Sequence, residues 1–382
     1  MTTKKHSKHA KINRRKGGQF HRHEIALIGA PCGIIDRYIH SIAAALAPIR
    51  VGYVDADHQA TDIPAEVLTT QFIDKINFEQ YNLQPTTDKN HWAPIFNSCD
   101  LVLVNGNHFK ADRQLVLLHS KKRESLSRKL DRLTNVIGFI QEEEGLEVYD
   151  FLKEAIPHWK DLPFFSFTSA GIPSERAEGI AAHIQAQFST PPVHGLVLNG
   201  GKSQRMGRDK GSIEYHGRPQ REHLADLLSQ YCNYTAISIR ENKELDTNHA
   251  LIRDEFLGLG PLSGLLTAFK QQPDAAWLTV ACDQPALDAI VIQQLFDERD
   301  PSRLATCFHN PDTDFPEPLL TIWEPRAYPI LLQWLARGYS CPRKVLINSD
   351  VQEIRVSDHR FMVNVNTPEE YAAFKTQQAT AS

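Results

Sequence analysis

"HGLVLNGGKSQRMGRDKGSIEYHGRP", residues 194–219, places a pair of glycines and a row of cations directly behind a short apolar run. The apolar run predicts a buried β-strand, and the glycines let the following backbone take unusual φ and ψ values. Consecutive N–H groups of such a loop can approach a phosphate or a base edge, while the cations neutralise the remaining oxygens. In an open α/β sheet, ligands bind beyond the carboxyl ends of the strands, where this loop lies. The stretch therefore predicts an α/β fold with an anion-binding loop.

The rest of the chain extends this pattern over two domains. A chain of 382 residues exceeds one ordinary core, and Pro191 and Pro192 interrupt it near the middle. On either side, runs rich in Val, Ile and Leu alternate with amphipathic segments, as in parallel strands joined by helices. We predict a basic disordered tail at 1–23 and two three-layer α/β/α domains at 24–188 and 189–382. The predicted strands are EIALIG, RVGYVDA, LVLVNG, QLVLLH, NVIGFIQ and PFFSF, then HGLVLN, YTAISIR, AAWLTVACD and LATCFH.

Composition argues against several classes of protein. The 42 Lys and Arg against 46 Asp and Glu leave a formal charge of −4, and no apolar run is long enough to span a membrane. The cationic N-terminus lacks the apolar centre of a signal peptide and is more typical of disorder than of a specific nucleic-acid site. The six cysteines are scattered, without a CxxC pair or zinc-ligand spacing. We therefore expect a cytoplasmic protein with reduced thiols, no membrane contact and no specific nucleic-acid partner.

The glycine and cation loop resembles the nucleotide loop of molybdenum cofactor guanylyltransferases. That loop reads approximately LAGGxSxRMGxDK, and this chain has LNGGKSQRMGRDK at 198–210. It is neither a Walker A motif nor the dinucleotide fingerprint GxGxxG. Asn199 stands where the family usually has alanine, and we expect the loop path to survive this difference. The resemblance continues in order through IRDEF at 252–256, GLGPLSG at 258–264, VACDQP at 280–285 and FMVNVNTPEEY at 361–371.

The resemblance implies a Rossmann-like nucleotidyltransferase domain. Its reaction would move GMP from GTP to the terminal phosphate of molybdopterin, with or without bound molybdenum, and release pyrophosphate. Such chemistry needs cations, a metal and rigid placement of two anions rather than a protein nucleophile. The implied catalytic residues are Arg205, Lys210 and Asp283, with Mg²⁺ held by Asp283. The implied nucleotide- and cofactor-binding residues are Leu198, Asn199, Gly200, Gly201, Lys210, Ser238, Arg240, Asp254, Gly260, Asp283, Asn364 and Asn366.

Several of these residues also have a structural alternative. Asp283, at the end of an apolar run, is placed either to hold Mg²⁺ between triphosphate oxygens or to cap a loop or the following helix. Asp254 either helps bind the nucleotide or is a solvated turn carboxylate. The segment GLGPLSG either brings backbone close to the substrate or starts a helix. Asn364 and Asn366 either bind pterin or phosphate, or cap the helix that begins at TPEEY.

The first domain is similar to the molybdopterin-guanine dinucleotide adaptor, a small GTP-binding P-loop protein. The likeness rests on EIALIGAPCGIIDRYIHSIAAAL at 24–46, LVLVNGNHFKADRQLVLLH at 101–119 and the order of elements between them. Its decisive positions differ, because Ile34, Ile35 and Asp36 stand where a Walker loop has Gly, Lys and Ser or Thr. An aspartate near the positive end of the helix dipole also competes with an anion. We therefore predict a degenerate, nucleotide-deficient adaptor or scaffold.

Two other functions compete with guanylyl transfer. A molybdenum cofactor cytidylyltransferase, or another nucleotidyltransferase acting on a sugar phosphate, would share the sheet and much of the loop, although Gly200 and Gly201 favour guanine. A non-catalytic cofactor-binding adaptor is the second alternative, and the presence of Lys210 and Asp283 argues against it. The partners expected for the leading hypothesis are GTP, molybdopterin or Mo-molybdopterin, and molybdoenzyme apoproteins or their chaperones.

Overall fold

The computed structural model describes residues 19–56, 70–75, 79–83, 92–166, 174–188, 190–199, 209–241, 243–356 and 359–381. The chain divides into two compact units, Met1–Ser189 and Thr190–Ser382. Within the described residues, no helix is both long enough and apolar enough to cross a membrane. All six cysteines belong to the described part of the chain, and each is a free thiol.

The first unit is built on a six-stranded sheet in the order β2-β5-β1-β6-β7-β8, in which all neighbours are parallel. A separate antiparallel pair, β3 with β4, accompanies it. All six strands predicted for this half are present in the main sheet. The strands are β1 (Glu24–Ile28), β2 (Val51–Val54), β3 (Thr70–Asp74), β4 (Glu79–Leu83), β5 (Leu101–Asn105), β6 (Arg113–Leu118), β7 (Val136–Gln141) and β8 (Phe164–Ser166).

Helices cover both faces of this sheet, which explains why its central strands are continuous apolar runs. The helices are α1 (Cys32–Ala45), α2 (Trp92–Ile95), α3 (Arg123–Ser127), α4 (Asp150–Ala155) and α5 (Ser174–Ala186). Helices α1 and α5 share one hydrophobic cluster with Leu27, whereas α3 and α4 share another with Ile28. Successive residues of β1 thus face opposite layers, and the predicted α/β class with a largely parallel sheet is confirmed.

Packing in the first unit begins before the predicted boundary at residue 24. Phe20 is 2% exposed, and its ring packs edge-on against Phe96 and Phe109 with centroid separations of 6.1 and 5.7 Å. The backbone N–H of Phe20 also donates to Glu24 Oε2 at 2.8 Å. The predicted tail therefore includes too many residues at its C-terminal end, because one aromatic side chain is enough to anchor the segment. Residues 1–18 of that tail lie outside the described residues.

The second unit contains a seven-stranded sheet in the order β11-β10-β9-β12-β14-β13-β15. Strand β14 is antiparallel to both its neighbours, and every other pair is parallel. The strands are β9 (Val193–Leu198), β10 (Thr235–Ile239), β11 (Ala250–Arg253), β12 (Ala276–Ala281), β13 (Ala305–Asn310), β14 (Phe315–Trp323) and β15 (Gln352–Ile354). The helices are α6 (Gln220–Ser229), α7 (Pro261–Gln271), α8 (Ala289–Asp297), α9 (Ala327–Ala336), α10 (Pro342–Ile347) and α11 (Pro368–Ala381).

Successive residues of β9 face the two hydrophobic layers on opposite sides of this sheet. Val197 packs with α6 and α8, while Leu196 packs with α7, α9 and α10. Both side chains are 0% exposed. Burial on both faces explains why the sequence reads as an uninterrupted apolar run at this point.

Three strands of the second unit were not predicted from the sequence. Strands β11 and β15 are short and lie at the two edges of the sheet, so little apolar sequence marks them. Strand β14 carries Pro316 and Pro318, which normally argue against a central strand because proline donates no ladder hydrogen bond. Both prolines lie near its start, where the register with β13 shifts between Cys307 and His309.

Candidate active site

Four of the predicted site residues meet at one edge of the second sheet. Asn199, Asp254 and Asp283 follow the parallel strands β9, β11 and β12, and Ser238 lies near the end of β10. Because carboxyl ends of parallel strands share an edge, the topology itself brings these polar groups together. The edge is the usual ligand site of an open α/β sheet.

The Lys210 side chain contacts site residues that are far from it in the sequence. Its ammonium lies 3.1 Å from Asp283 Oδ2 and also donates to Asn366 Oδ1. Lys210 opens a short 3₁₀ turn whose N-cap, Asp209, accepts from the Gly211 N–H at 3.2 Å. The turn holds the base of the lysine in place while its charged end reaches a carboxylate and an amide. The site thus has a cation and an anion fixed side by side.

The two carboxylate oxygens of Asp283 differ in their hydrogen bonding. Oδ1 is buried and has no hydrogen-bond partner within the described part of the chain, whereas Oδ2 is engaged by Lys210. The main-chain carbonyl of Asp283 accepts from the Val365 N–H at 2.7 Å, which ties the segment carrying Asn366 to the same point. The helix-cap alternative for Asp283 does not hold, since Asp288 caps α8 by accepting from the Val291 N–H.

A second acidic group, Glu317, is close enough to Asp283 to interact with it electrostatically. Glu317, in β14, is 2% exposed, and its Oε2 lies 3.4 Å from the Arg343 guanidinium of α10. Burial raises the pKa of the Glu317 carboxyl, the Leu319 N–H and Arg343 oppose that rise, and the nearby charge of Asp283 adds to it. The unpartnered oxygen of Asp283 is the kind of ligand that a hard cation such as Mg²⁺ selects, so the residues fit that ion. Among the described residues, no group of three or more His, Cys, Asp or Glu forms a ready-made metal cage.

Ser238 and Asp254 form a buried pair on the nucleotide side predicted from the sequence. The Ser238 hydroxyl donates to Asp254 Oδ1 at 2.7 Å, and Asp254 is 8% exposed. Burial raises the pKa of Asp254, while the Ser238 hydrogen bond and Arg240 act in the opposite direction. Helix α7 closes on this pair through Gly264, where a Cβ would lie 2.4 Å from Ser238 Oγ. Asp254 is therefore not the solvated turn carboxylate that the sequence left open.

The remaining predicted residues have mixed placements. Gly260 adopts φ +60°, a region that favours glycine, and caps α7 immediately before Pro261, so this segment is both a sharp turn and a helix start. Asn364 is exposed, whereas Asn366 contacts Lys210. Neither asparagine caps α11. That role belongs to a capping box in which the Thr367 hydroxyl accepts from the Glu370 N–H, and the Glu370 carboxylate accepts from the Thr367 N–H.

Gly200, Gly201 and Arg205 lie outside the described residues, so their assigned roles stay predictions. Leu198, the last residue of β9, is 6% exposed and belongs to the layer of α7. Arg240 follows β10 and is exposed.

Asn199 fills the space beside Gly211 in the turn that carries Lys210. Its side chain is 7% exposed, and a Cβ on Gly211 would lie 1.8 Å from its Oδ1 and 2.8 Å from its Cγ. The next atom, Arg221 Cβ, is 3.3 Å away, a separation that a small shift relieves. Asn199 is therefore the main obstacle to a larger residue at position 211.

We expect Gly211→Ala to displace the turn and lower the rate of nucleotidyl transfer by about tenfold or more, because small misplacements of a catalytic group are costly. The double variant Asn199→Ala/Gly211→Ala removes the colliding amide and should recover most of that rate. Steady-state kinetics of both variants and of Asn199→Ala alone make the comparison. Equal loss in the single Gly211 variant and the double variant would contradict the steric pairing.

Two histidines support the loop that follows Asp283. His216 Nε2 lies 2.9 Å from the Pro285 carbonyl, which can only accept, so this nitrogen carries the proton. The His216 ring stacks on His223 with a centroid separation of 4.0 Å. Burial, together with the charges of His216 and Arg218, lowers the pKa of His223 from 6.5 to about 4. His223 is therefore neutral in the fold at neutral pH.

This pKa shift predicts a pH dependence of stability. Between pH 6.5 and about 4, unfolded chains take up a proton at His223 that the folded protein does not, so the free energy of unfolding falls as the pH drops through this window. His223→Gln removes this contribution. Denaturant unfolding at a series of pH values should show a shallower acid decline for the variant than for the wild type. Parallel declines would show that His223 does not titrate in this way.

Glu317 and Arg343 were not predicted as site residues from the sequence. A sequence signal existed for Glu317, since FPEPLL places a single charged residue inside an apolar run at 315–320. No comparable signal marks Arg343, because cations on short helices are common. The two residues meet only through the antiparallel return of β14, which the sequence analysis did not predict.

Comparison with known proteins places the second unit in a family. The family model described as "MobA-like NTP transferase domain" matches residues 195–353. A molybdenum cofactor biosynthesis bifunctional protein of Synechocystis is 36% identical over 190 residues, which cover 49% of this chain and 55% of that relative, so the chain spans about half of its length. A molybdenum cofactor guanylyltransferase of Pseudomonas putida is 31% identical over 189 residues, covering 47% of this chain and 95% of that protein.

A solved structure, that of molybdopterin-guanine dinucleotide biosynthesis protein A from Archaeoglobus fulgidus, covers 49% of this chain and 99% of its own, with 21% identity and a TM-score of 0.42. The resemblance predicted from the loop motifs of the second unit is confirmed by the family model and the curated relatives. Through its second unit, the chain belongs to the molybdenum cofactor guanylyltransferases, a family of nucleotidyltransferase enzymes.

Proposed function

We propose that the second unit transfers GMP from GTP to the terminal phosphate of molybdopterin, with or without bound molybdenum, and releases pyrophosphate. The observation that carries this proposal is the Lys210 ammonium held between the Asp283 carboxylate and Asn366 at the carboxyl edge of the sheet. An ammonium and a carboxylate fixed together suit a polyphosphate, since one neutralises oxygens and the other holds their counter-ion.

Asp283 would hold Mg²⁺ through its unpartnered Oδ1. When bound there, the ion neutralises charge on the triphosphate and on the departing pyrophosphate. Lys210 then turns its ammonium from Asp283 toward a phosphate oxygen, and Asn366 keeps the lysine chain aligned while it does so. Arg205, outside the described residues, is proposed to contact the same triphosphate.

The nucleotide and its acceptor are proposed to lie on opposite sides of Asp283. The nucleotide side contains the ends of β9, β10 and β11, with backbone at Leu198 and Asn199 facing guanine and the Ser238–Asp254 pair completing the pocket. On the acceptor side, Arg343, held by buried Glu317, is proposed to receive the acceptor phosphate.

This placement suits direct displacement. An oxygen of the acceptor phosphate attacks the α-phosphorus of GTP, a new phosphorus–oxygen bond forms, and the bond to pyrophosphate breaks. No covalent intermediate with the protein is needed, so the side chains contribute alignment and charge rather than a nucleophile.

Base choice tests the proposal. Guanine presents N1–H and N2–H₂ donors and the O6 acceptor, which backbone carbonyls and N–H groups of the loop can pair with. Cytosine does not present this pattern, so some of those hydrogen bonds would not form with it. In competition between GTP and CTP, with molybdopterin and Mg²⁺ supplied, we expect the guanine dinucleotide to exceed the cytosine product by about 100-fold or more. Equal products, or an excess of the cytosine dinucleotide, would assign the chain to the cytidylyl branch.

The first unit is proposed to be a scaffold that does not bind nucleotide. Ile35, at the position of a Walker lysine, is 0% exposed and packs in the core between α1 and α5. The Ile35 side chain therefore lies in the core and offers no charge to a phosphate. Equilibrium dialysis of the whole chain with GTP should therefore give one site per chain, and a stoichiometry of two would contradict the proposal.

Free cysteines fit a reducing cytoplasm, where molybdoenzyme apoproteins or their chaperones are the proposed recipients of the product.

A further inference from the structure

The Lys210 ammonium contacts the same carboxylate to which the metal ion is assigned. It lies 3.1 Å from Asp283 Oδ2 and donates to Asn366 Oδ1 as well, and only 26% of the lysine side chain is exposed. Among the described residues, no other side chain hydrogen-bonds the Asp283 carboxylate. The second oxygen, Oδ1, is buried, so an ion that arrives from solvent has no direct approach to it. The ammonium and a divalent cation therefore compete for one carboxylate.

The side chains close to Asp283 make the presence of one cation favourable. Glu317 is a second, buried acid, and burial together with the charge of Asp283 raises its pKa. The Tyr215 hydroxyl is buried without a hydrogen-bond partner, and burial and the charge of Asp283 raise its pKa to about 12, so it stays neutral. A positive charge next to Asp283 lowers the energy of this acidic group, but two positive charges at the same carboxylate repel each other.

The lysine is held against Asp283 from both ends of its side chain. At its base, the 3₁₀ turn is capped by Asp209, which accepts from the Gly211 N–H. At its tip, Asn366 accepts from the ammonium, and the neighbouring Val365 N–H donates to the Asp283 carbonyl at 2.7 Å. A polyphosphate offers the ammonium more negative charge and more acceptor oxygens than one carboxylate and one amide do. Such a ligand can therefore draw Lys210 away from Asp283.

We propose that Lys210 is a gate for the metal: paired with Asp283 it keeps a divalent cation out, and the triphosphate of the nucleotide opens the site by taking over the ammonium. This inference rests on the function proposed above and adds an order to it, in which the metal enters with the nucleotide or after it. A pair that is closed in about nine of ten molecules weakens metal binding about tenfold, because only the open fraction can bind. By linkage, the triphosphate and the metal each raise the affinity of the other.

The test measures binding of Mn²⁺, which takes the same oxygen ligands as Mg²⁺, to the whole chain in the absence of nucleotide. Free Mn²⁺ is followed by its electron paramagnetic resonance signal. Lys210→Met should bind Mn²⁺ about tenfold more tightly than the wild type, because it removes the competing cation. The same substitution should weaken the contact with GTP, and a general loss of structure cannot move the two ligands in opposite directions. A Mn²⁺ affinity equal to or below that of the wild type would overturn the gate.

Lys243→Met is the matched control for charge. Lys243 pairs with Asp209, the cap of the turn that carries Lys210, and its side chain is 36% exposed. The variant loses the same charge near the site without changing the contact at Asp283, and Asp209 keeps Arg221 at 3.5 Å. Its Mn²⁺ affinity should match that of the wild type. Equal gains in the Lys210 and Lys243 variants would assign the effect to net charge and overturn the gate.

Two further variants locate the effect. Asn366→Ala keeps the lysine charge and removes one of its acceptors, so it should raise the Mn²⁺ affinity by a smaller factor than Lys210→Met, and no gain would exclude Asn366 from the gate. Asp283→Asn/Lys210→Met should lose the gain of the single lysine variant. If the gain persisted in this double variant, the metal would lie elsewhere and the role of Asp283 in the proposed function would be wrong. Absence of any gain in Lys210→Met overturns the gate alone and leaves that role intact.

Discussion

Asp283→Asn is expected to reduce kcat for nucleotidyl transfer by about a thousandfold or more, because it removes the proposed ligand of Mg²⁺ and the anion that contacts Lys210. The substitution preserves the size of the side chain, and only 20% of the Asp283 side chain is exposed. In this variant Lys210 would keep its hydrogen bond to Asn366, so the 3₁₀ turn that begins at Lys210 should stay in place. Kinetics over a range of Mg²⁺ concentrations measure the effect, since a metal ligand also shifts the concentration of Mg²⁺ required for half-maximal activity.

A matched control lies at the other end of the same strand. Asp274 precedes β12, is exposed, and loses the same charge in Asp274→Asn. We expect this variant to keep nearly the full rate of the wild type. If both variants kept normal turnover with intact thermal unfolding, the assignment of Asp283 as the metal ligand would be wrong.

Lys210→Met should lower kcat/KM for GTP by about 10- to 150-fold, the range expected when a charge-assisted contact of 1.5–3 kcal/mol is lost. The ammonium lies 3.1 Å from Asp283 Oδ2 and donates to Asn366 Oδ1, so the variant removes both hydrogen bonds together with the charge. Asn366→Ala should have a smaller effect in the same direction, because it leaves the charge but loosens its alignment.

Lys270→Met provides the control for loss of a lysine charge. Lys270, on α7, pairs with Glu255 at the surface, and its side chain is 52% exposed. The kinetic constants of this variant should match those of the wild type. Equal losses in the Lys210 and Lys270 variants would indicate a general effect of net charge rather than a contact with the triphosphate.

Much of the second unit could be predicted from the sequence because the signals were local. The apolar runs predicted β9, β10, β12 and β13. A parallel sheet then predicted, without further information, that the polar residues directly after these strands lie at one edge. Asp283 illustrates this, since its position directly after an apolar run predicted that its carboxylate lies at this edge, although the run alone did not decide between a metal ligand and a cap. The contact between Lys210 and Asn366 joins residues 156 positions apart, and no local pattern specifies it.

Other features depend on chain reversals that the sequence signals poorly. The prolines of β14 argued against a strand at that point, so neither this central strand nor the contact of Glu317 with Arg343 was predicted. In the first unit, the substitutions at Ile34, Ile35 and Asp36 predicted a missing phosphate site. They gave no indication that Cys32 and His108, 76 positions apart, meet at the same edge.

The most direct test of guanylyl transfer is to follow the two ends of the triphosphate separately. The purified chain is incubated with Mg²⁺, molybdopterin and GTP labelled at either the α- or the γ-phosphorus, and the products are separated and weighed by mass spectrometry. We predict that the α label appears in a dinucleotide whose mass equals molybdopterin plus GMP less water, and that the γ label appears only in pyrophosphate. Release of the γ label as inorganic phosphate, with no α label joined to molybdopterin, would contradict nucleotidyl transfer by this site.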